Sequence, residues 1–487
     1  MSELILVRLA GEISIKARAT RRHFAGRLVS NLRDLLQAEA LPGRVRLAHD
    51  RIHVEVEEKS CAAAQSALAR VFGVQSCSRA VRRDYQSEQD LVREGLALFR
   101  EAVAGRRFAV RARRLGGRAA VALRPGDVER ALGAALLPHA AGVDLDDPEV
   151  RCRLEIQPDQ AFFFLDQVAG PGGLPLGVEG RAIALLSGGF DSAVAAWQML
   201  RRGVALDYVF CNLGGRAHEQ GVLRVAEQLA LRWSYGTSPR LHALDFAEVA
   251  GELRARTAKR YWQVLLKRQM LRAAEQVARR RRAPALVTGD ALGQVSSQTL
   301  QNLAVIGRAT ELALLRPLLG ANKDEIIRAA EQIGTFELSK VVGEYCAMVP
   351  SRPATAARLE DLLAEEAKLD PALLARAVES RRILALRALD PGELALPDID
   401  VEKIPEGARV IDLRSRAEYE SWHVPEALQL EWDLAQRAWP SFEPGRCYVL
   451  YCEIGLKSAL LAEQMRSAGF DAYHVRGGLR TLRRIYG

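Results

Sequence analysis

The apolar run Ile183 to Leu186 leads directly into Ser187-Gly-Gly-Phe-Asp-Ser192, and a helical pattern, Ala193 to Arg201, begins at once. Strand, glycine turn and immediate helix constrain this chain more than any bulk property. A strand followed by a helix cannot close a hairpin with its neighbour. It requires a crossover, and so a mostly parallel sheet with helices on its faces. The pattern continues with short apolar strands at Leu206 to Cys211 and Ala285 to Thr288. Helices are expected between them over Gln220 to Leu231 and Tyr261 to Val277.

The turn has the chemistry of a phosphate cradle. Gly188 and Gly189 let backbone approach an anion without a Cβ in the way. Exposed amides and a helix start favour negative charge. Ser187 and Ser192 add hydroxyl donors. Asp191 is a poor partner for bare phosphate, but it can act through Mg²⁺ or position a substrate group. No G-K-[ST] follows, so this is not a Walker loop. Thr288-Gly289-Asp290 ends another strand, where open α/β sheets place ligands, and Ser296-Ser-Gln-Thr299 follows with short polar groups. Lys267 in a helix and Lys323 at a helix start are candidates to neutralise a leaving pyrophosphate. Either lysine taken alone is more often a solvated surface residue.

A second chemical feature lies near the carboxyl end. Cys447-Tyr-Val-Leu-Tyr451 reads as a strand, and Cys452-Glu-Ile-Gly-Leu-Lys-Ser458 as a loop entering a helix, Lys457 to Ala468. Amides converging in such a loop stabilise a thiolate or a persulfide anion, and Lys457 adds to the field. Cys346, in Gly343-Glu-Tyr-Cys-Ala-Met-Val-Pro350, is by itself more often a packing residue. Beside a persulfide it gains a role, because a second thiol can attack a mixed disulfide and release the product. Cys61, Cys152, Cys211 and Cys447 have no such case, and Cys77 stays open. Seven cysteines without a C-x-x-C pair argue against structural zinc, and no metal site of the protein's own is expected.

A length of 487 residues implies three or four domains. Residues 1–60 read as a small α+β unit: strand Leu4 to Leu9, helix Arg21 to Glu39, strand Arg51 to Glu57. Residues 61–165 repeat that texture, and the Gly/Pro cluster 170–177 marks a boundary. Residues 1–120 hold 23 Lys and Arg against 13 Asp and Glu, so the first quarter carries the whole surplus of a chain with net charge +9. Arg79, Arg82 and Arg83 precede a dense run of Arg106, Arg107, Arg111, Arg113, Arg114 and Arg118. Such charge suits a nucleic-acid backbone, held by shape rather than sequence. Aromatic residues are sparse there, which disfavours base stacking on a single strand. The opening MSELILVRLAGEISIK lacks a basic leader and a long apolar core, and no run of eighteen apolar residues occurs. Neither a signal peptide nor a membrane partner is expected, and a reducing cytoplasm is the expected location.

Ser187 to Ser192 resembles the pyrophosphate loop of the PP-loop ATP pyrophosphatases. Ile411-Asp-Leu-Arg-Ser-Arg-Ala-Glu-Tyr-Glu420, Trp422-His-Val-Pro-Glu-Ala427, Cys452 with its loop and Gly477-Gly478 resemble a rhodanese domain. With Thr288-Gly-Asp-Ala-Leu-Gly-Gln-Val-Ser-Ser-Gln-Thr299 and Glu344-Tyr-Cys346 added, nearly the whole chain resembles the bacterial tRNA 4-thiouridine sulfurtransferases, also active in making the thiamine thiazole. The resemblance implies a multidomain α/β protein with five parts. These are a ferredoxin-like domain (1–60), a THUMP RNA-binding domain (61–167), a parallel-sheet PP-loop ATP domain (176–350), a helical linker (351–395) and a rhodanese domain (396–487). It places ATP contacts on Leu185, Leu186, Ser187, Gly188, Gly189, Ser192, Lys267, Gly289 and Gln298. Adenylation falls to Asp191 and Lys323, and sulfur transfer to Cys452 and Cys346. The partners it implies are tRNA with uridine 8 as target, ATP and Mg²⁺, a cysteine desulfurase as persulfide donor, a cellular thiol reductant and a small sulfur-carrier protein of thiamine synthesis. Three rivals stand against this reading. One is sulfur transfer mainly to the small carrier protein, and a second is an RNA-binding module with vestigial catalytic domains. The third, an ATP-dependent amide ligase, needs an ammonia source that the sequence does not offer.

Overall fold

A computed structural model describes residues 2–48, 50–115, 121, 123–342, 352–394, 399–453 and 455–487. The chain divides into two compact units. The first is residues 1–179 with 201–203 and 235–237; the second is the remainder of 180–487.

The first unit is built on one nine-stranded sheet. Its elements are β1 (Ser2–Leu9), α1 (Arg18–Ala38), β2 (Gly43–Ala48), β3 (Arg51–Glu57), α2 (Cys61–Leu68), β4 (Val74–Asp84), α3 (Glu88–Val103), β5 (Arg107–Arg114), α4 (Pro125–Leu136), β6 (Val150–Ile156) and β7 (Gln160–Phe164). The strand order is β2-β3-β1-β4-β7-β6-β5, and two-residue strands complete it. β4 joins the two halves, since its first part pairs with β1 and its last part with β7. α2 packs in the same core as α1 and β1, with Cys61, Ala64 and Leu68 buried beside Leu28, Leu32 and Ile5. The expected boundary between residues 60 and 61 therefore falls inside a continuous fold. It went unseen because β4 alternates too weakly to read as one long strand.

A buried ion cluster ties the halves together. Glu155 of β6 accepts from Arg8 Nε of β1 and from Arg51 Nε of β3, each at 2.7 Å, and Arg8 also donates to Ser78 of β4 at 2.9 Å. Burial alone would raise the Glu155 carboxyl, but Arg51 and Arg8 outweigh it and hold the group below its ordinary range.

The second unit opens on β8 (Arg181–Leu185), α5 (Phe190–Arg201), β9 (Ala205–Asn212), α6 (Gly215–Trp233), β10 (Arg240–Asp245), α7 (Ala247–Arg256) and α8 (Trp262–Arg280). It continues through β11 (Ala285–Val287), α9 (Leu300–Gly307), β12 (Ala313–Leu315), α10 (Lys323–Ile333) and α11 (Phe336–Val342). After these come α12 (Leu359–Glu366), α13 (Leu373–Glu379) and β13 (Arg382–Ala385). The sheet runs β12-β11-β8-β9-β10-β13, parallel except for β13, which is antiparallel to β10. Chain order reverses at β8, so the crevice between the carboxyl ends of β8 and β11 is the topological switch point.

Within residues 351–395, expected as a linker, α12, α13 and β13 belong to this domain. Leu362, Leu373 and Val378 are buried in its core, and Glu366 accepts from Arg268 of α8 at 2.8 and 2.9 Å. The pairing partners of this stretch are about a hundred residues away, which is why it looked free-standing.

A five-stranded parallel sheet follows, built of β14 (Asp400–Val401), β15 (Arg409–Asp412), β16 (Leu428–Gln429), β17 (Tyr448–Tyr451) and β18 (Ala472–Val475), in the order β14-β18-β17-β15-β16. Its helices are α14 (Arg416–Ser421), α15 (Trp432–Ala438), α16 (Leu456–Ser467) and α17 (Leu479–Tyr486).

Candidate active site

β8 delivers Leu185, Leu186 and Ser187 to the switch point, and α5 starts at Phe190. The loop between them is closed by its own serines. The Ser187 N–H and hydroxyl each lie 3.2 Å from Ser192 Oγ, which donates to the Gly189 carbonyl at 3.0 Å. Gly188 has φ of +83°, and a Cβ there would press on Val342 and Val222. The glycine thus serves both the left-handed backbone and the close packing.

Gly289 has a different role. A Cβ on it would lie 2.6 Å from the Ser192 nitrogen and 2.7 Å from the Asp191 carbonyl carbon, so the loop after β11 touches the backbone that begins α5. Next to it, Asp290 accepts from Lys267 Nζ at 3.0 Å and from Thr288 Oγ1 at 2.8 Å, with Arg316 at 3.4 Å. Burial would raise this carboxyl, but Lys267, Thr288 and Arg316 hold it below the usual range, so it stays ionised. Gln298 is buried, and its carboxamide oxygen has no hydrogen-bond partner among the described residues. A buried, unsatisfied acceptor is costly unless a ligand supplies the donor. The glycine cradle and this open acceptor fit a nucleotide.

Asp191 and Lys323, 132 residues apart, form an ion pair of 2.9 Å at the start of α5. Lys323 is the first residue of α10. A cation at the positive end of a helix is disfavoured by about 0.3–1 kcal/mol, so the position makes sense only with an anion to face. Asp191 is one such anion, and the phosphates of a nucleotide would be another. Among the described residues no group of three or more His, Cys, Asp or Glu could hold a metal by itself. Mg²⁺ of the kind that arrives on nucleotide phosphates needs only one or two carboxylates, and Asp191 is placed to offer one.

His218, in the first turn of α6, was not foreseen. It is 4% exposed and meets Phe210 edge-on at 5.0 Å. Burial pushes the ring down to about 4, against a smaller opposing pull from the Ser187 backbone. The signal available in sequence was only a histidine six residues after the end of a strand.

In the last sheet, Cys452 directly follows β17 and is 4% exposed. The Gly455 N–H donates to its Sγ at 3.2 Å, and Ser458 Oγ lies 3.6 Å away and itself bonds the Gly455 carbonyl. Gly455 has φ of +93° and Gly478 φ of +57°, and a Cβ on Gly478 would collide with the Cys452 carbonyl. These are the geometric needs of a loop whose amides turn inward around sulfur. Burial pushes the thiols of Cys77 and Cys152 up to about 12, and Cys77 Sγ lies 3.4 Å from the Gln65 carbonyl. Cys346 lies outside the described residues. α16, which begins at the cradle, packs on α6 of the ATP-loop domain, and Glu463 accepts from the Arg216 N–H at 2.8 Å.

Of the nine arginines expected to meet RNA, Arg118 lies outside the described residues. Arg79 and Arg83 are engaged by Glu3 and Glu94, at 3.0 and 3.1 Å. Arg107, Arg111 and Arg113 alternate along β5, and the register pairs Arg111 with Arg153 and Ala109 with Arg151 of β6. Arg82 joins the same face through Phe162 and Glu155. Arg151 and Arg153 were missed because they are isolated in sequence. Burial first, then the neighbouring Arg151, pulls the Arg153 guanidinium below its ordinary value. Arg106 is exposed at the β5 start, and Arg114 donates to the Val121 carbonyl at 3.2 Å.

A glycine loop at the switch point of a parallel sheet, an Asp–Lys pair beside it and a cradled cysteine in a second parallel domain define a nucleotide-activating enzyme with a built-in sulfur carrier. Family models match the same parts: the ThiI ferredoxin-like domain over residues 4–78, the THUMP domain over 85–166, the thiamine biosynthesis protein ThiI over 177–370 and the rhodanese-like domain over 399–483. A tRNA sulfurtransferase of Pyrobaculum aerophilum is 38% identical over 97% of this chain and 96% of its own. One of Pseudomonas aeruginosa is 38% identical over 96% and 98%. The crystal structure of a 4-thiouridine synthetase–RNA complex with bound ATP matches with a TM-score of 0.67 and 28% identity, covering 79% of this chain and 99% of that one. The chain belongs to the ThiI-type tRNA sulfurtransferase family.

Proposed function

We propose that this protein is an ATP-dependent tRNA sulfurtransferase that makes 4-thiouridine at position 8. The observation that carries the reading is the ATP loop with its Asp191–Lys323 pair in one chain with the cradled Cys452. A carbonyl oxygen is a poor leaving group, whereas AMP is a good one. The uracil C4 oxygen attacks the α-phosphorus and pyrophosphate leaves, with Lys323, Lys267 and the loop amides taking up its charge. Asp191 orients the reacting groups and would hold Mg²⁺, which would further neutralise the phosphate charge.

Cys452, charged as a persulfide by a cysteine desulfurase, then attacks C4 through its outer sulfur and displaces AMP. The Cys346 thiolate attacks Cys452 Sγ. The C4–S bond is kept, 4-thiouridine is released, and a Cys346–Cys452 disulfide remains for a two-electron cellular thiol reductant. Cys346 lies four residues beyond Val342, whose side chain abuts Gly188. The same persulfide serves a small sulfur-carrier protein in thiazole synthesis. The basic face of β5 and β6 holds the tRNA backbone.

The test is incubation with unmodified tRNA, Mg·ATP, cysteine, a desulfurase and reductant, read by the near-ultraviolet absorbance of a thiocarbonyl base. Signal should require ATP and vanish in Cys452→Ala. ATP cleavage to AMP with no thiolated tRNA would refute the assigned acceptor.

A further inference from the structure

The rhodanese-like domain is acidic except at one edge. Residues 399–475 carry 8 Lys and Arg against 13 Asp and Glu, whereas residues 476–487 carry four Arg and no acid. The switch in sign occurs where the chain leaves the sulfur cradle. The Leu479 N–H donates to the Cys452 carbonyl at 3.0 Å, so α17 starts on the cradle itself. Gly478 permits this approach, because a side chain there would strike the Cys452 and Glu453 carbonyls.

α17 buries Leu479 and Leu482 and turns Arg480, Arg483 and Arg484 outward. Arg480 and Arg484 are one turn apart, and Arg483 shares their ridge. Among the described residues no carboxylate pairs with these three, whereas Arg476 is held by Asp400 at 2.6 Å. Arg483 lies over Trp422, 5.7 Å from its ring, which limits its freedom. Glu453, next to Cys452, faces Arg414 at 3.8 Å. At about 1.5 Å rise per residue, the ridge lies within roughly 8 Å along the helix axis of the cradle.

We propose that this arginine ridge is an RNA-contact surface which grips tRNA phosphates as the Cys452 persulfide reaches its base. The inference rests on tRNA being the sulfur acceptor. A base is flanked by its own phosphates, so any domain that delivers sulfur to it brings its active-site rim against polyanion. An acidic rim would be repelled, and the rest of this domain carries a net negative charge. Unpaired arginines on the rim convert that repulsion into attraction and release counterions.

The test uses the full chain with Arg480→Glu and Arg484→Glu together, sparing Arg483 and its Trp422 contact. Three steps are measured apart: persulfide loading of Cys452 by a cysteine desulfurase, tRNA-dependent pyrophosphate release, and single-turnover sulfur transfer from preloaded enzyme at several salt concentrations. Loading and pyrophosphate release should stay within about twofold. Transfer should fall about tenfold or more near ~0.1 M salt, with a shallower salt dependence, as expected when about two phosphate contacts are lost. Unchanged transfer would overturn the proposal. So would slowed loading with normal transfer, which would assign the ridge to the sulfur-donor protein. Failure of the unsubstituted enzyme to thiolate tRNA would instead remove the acceptor reading on which the proposal stands.

Discussion

Gly289→Ala adds one methyl group at the point where two loops of the ATP site meet. The new Cβ would sit 2.6 Å from Ser192 N, 2.7 Å from Asp191 C and 2.8 Å from Ser192 Cα, against ordinary contacts of 3.4 Å or more. All three are backbone atoms, so no side chain can swing aside. The backbone φ at this glycine is not left-handed, so the perturbation is steric alone. The loop after β11 and the start of α5 must separate by roughly 0.6–0.8 Å, and overpacking of this kind costs about 1–3 kcal/mol. In a domain of this size that lowers the melting temperature by about 2–10 °C. The functional effect is larger. The displaced atoms belong to Asp191 and Ser192, and a misplacement near 1 Å is worth about 100-fold in rate. Pyrophosphate release with saturating tRNA and ATP should fall by that order, while tRNA retention on a filter stays unchanged. A Gly289→Ala enzyme that releases pyrophosphate at the full rate would refute the close approach and the role assigned to it.

Other perturbations follow from the same geometry. Lys323→Met should lower pyrophosphate release by about 100- to 1000-fold, the usual effect of removing one charge-stabilising donor, and a normal rate would remove Lys323 from the reaction. Glu155→Gln leaves Arg8 and Arg51 buried without their carboxylate, which should destabilise the first unit by about 3–5 kcal/mol. Chemical denaturation followed by tRNA binding reads the loss. The His218 ring has a folded value near 4 against an ordinary 6.5, so the unfolded chain takes up a proton that the folded chain refuses. That stability is complete above about pH 6.5 and declines as pH falls toward 4, by about 3 kcal/mol in all. His242, also pushed down to about 4, adds to the same slope. His218→Gln should flatten the fall in melting temperature between pH 7 and 5, and an unchanged slope would contradict the buried neutral ring.

Local chemistry was readable in the sequence and distant pairing was not. The turn Ser187 to Ser192 is a local object. Its glycines, its preceding strand and its following helix lie within twenty residues, and the bonds between Ser187 and Ser192 close it on itself. The cradle from Cys452 to Ser458 is local in the same way. The basic first quarter was visible as composition, but which arginines stay available was not. Arg79 and Arg83 resemble Arg82 in sequence, yet their strand places them beside Glu3 and Glu94.

The sequence alone determined the class of each domain, because strand and helix periods and glycine turns depend on neighbouring residues. It also pointed to the candidate site residues, since a phosphate loop and a sulfur loop are each a short run of atoms. Only the tertiary structure decided how those side chains are paired. Asp191 meets Lys323 across 132 residues, Lys267 of α8 meets Asp290 after β11, and α17 starts on the Cys452 carbonyl. Those contacts depend on strand order and crossover, which the sheet sets through interactions between residues far apart in the chain.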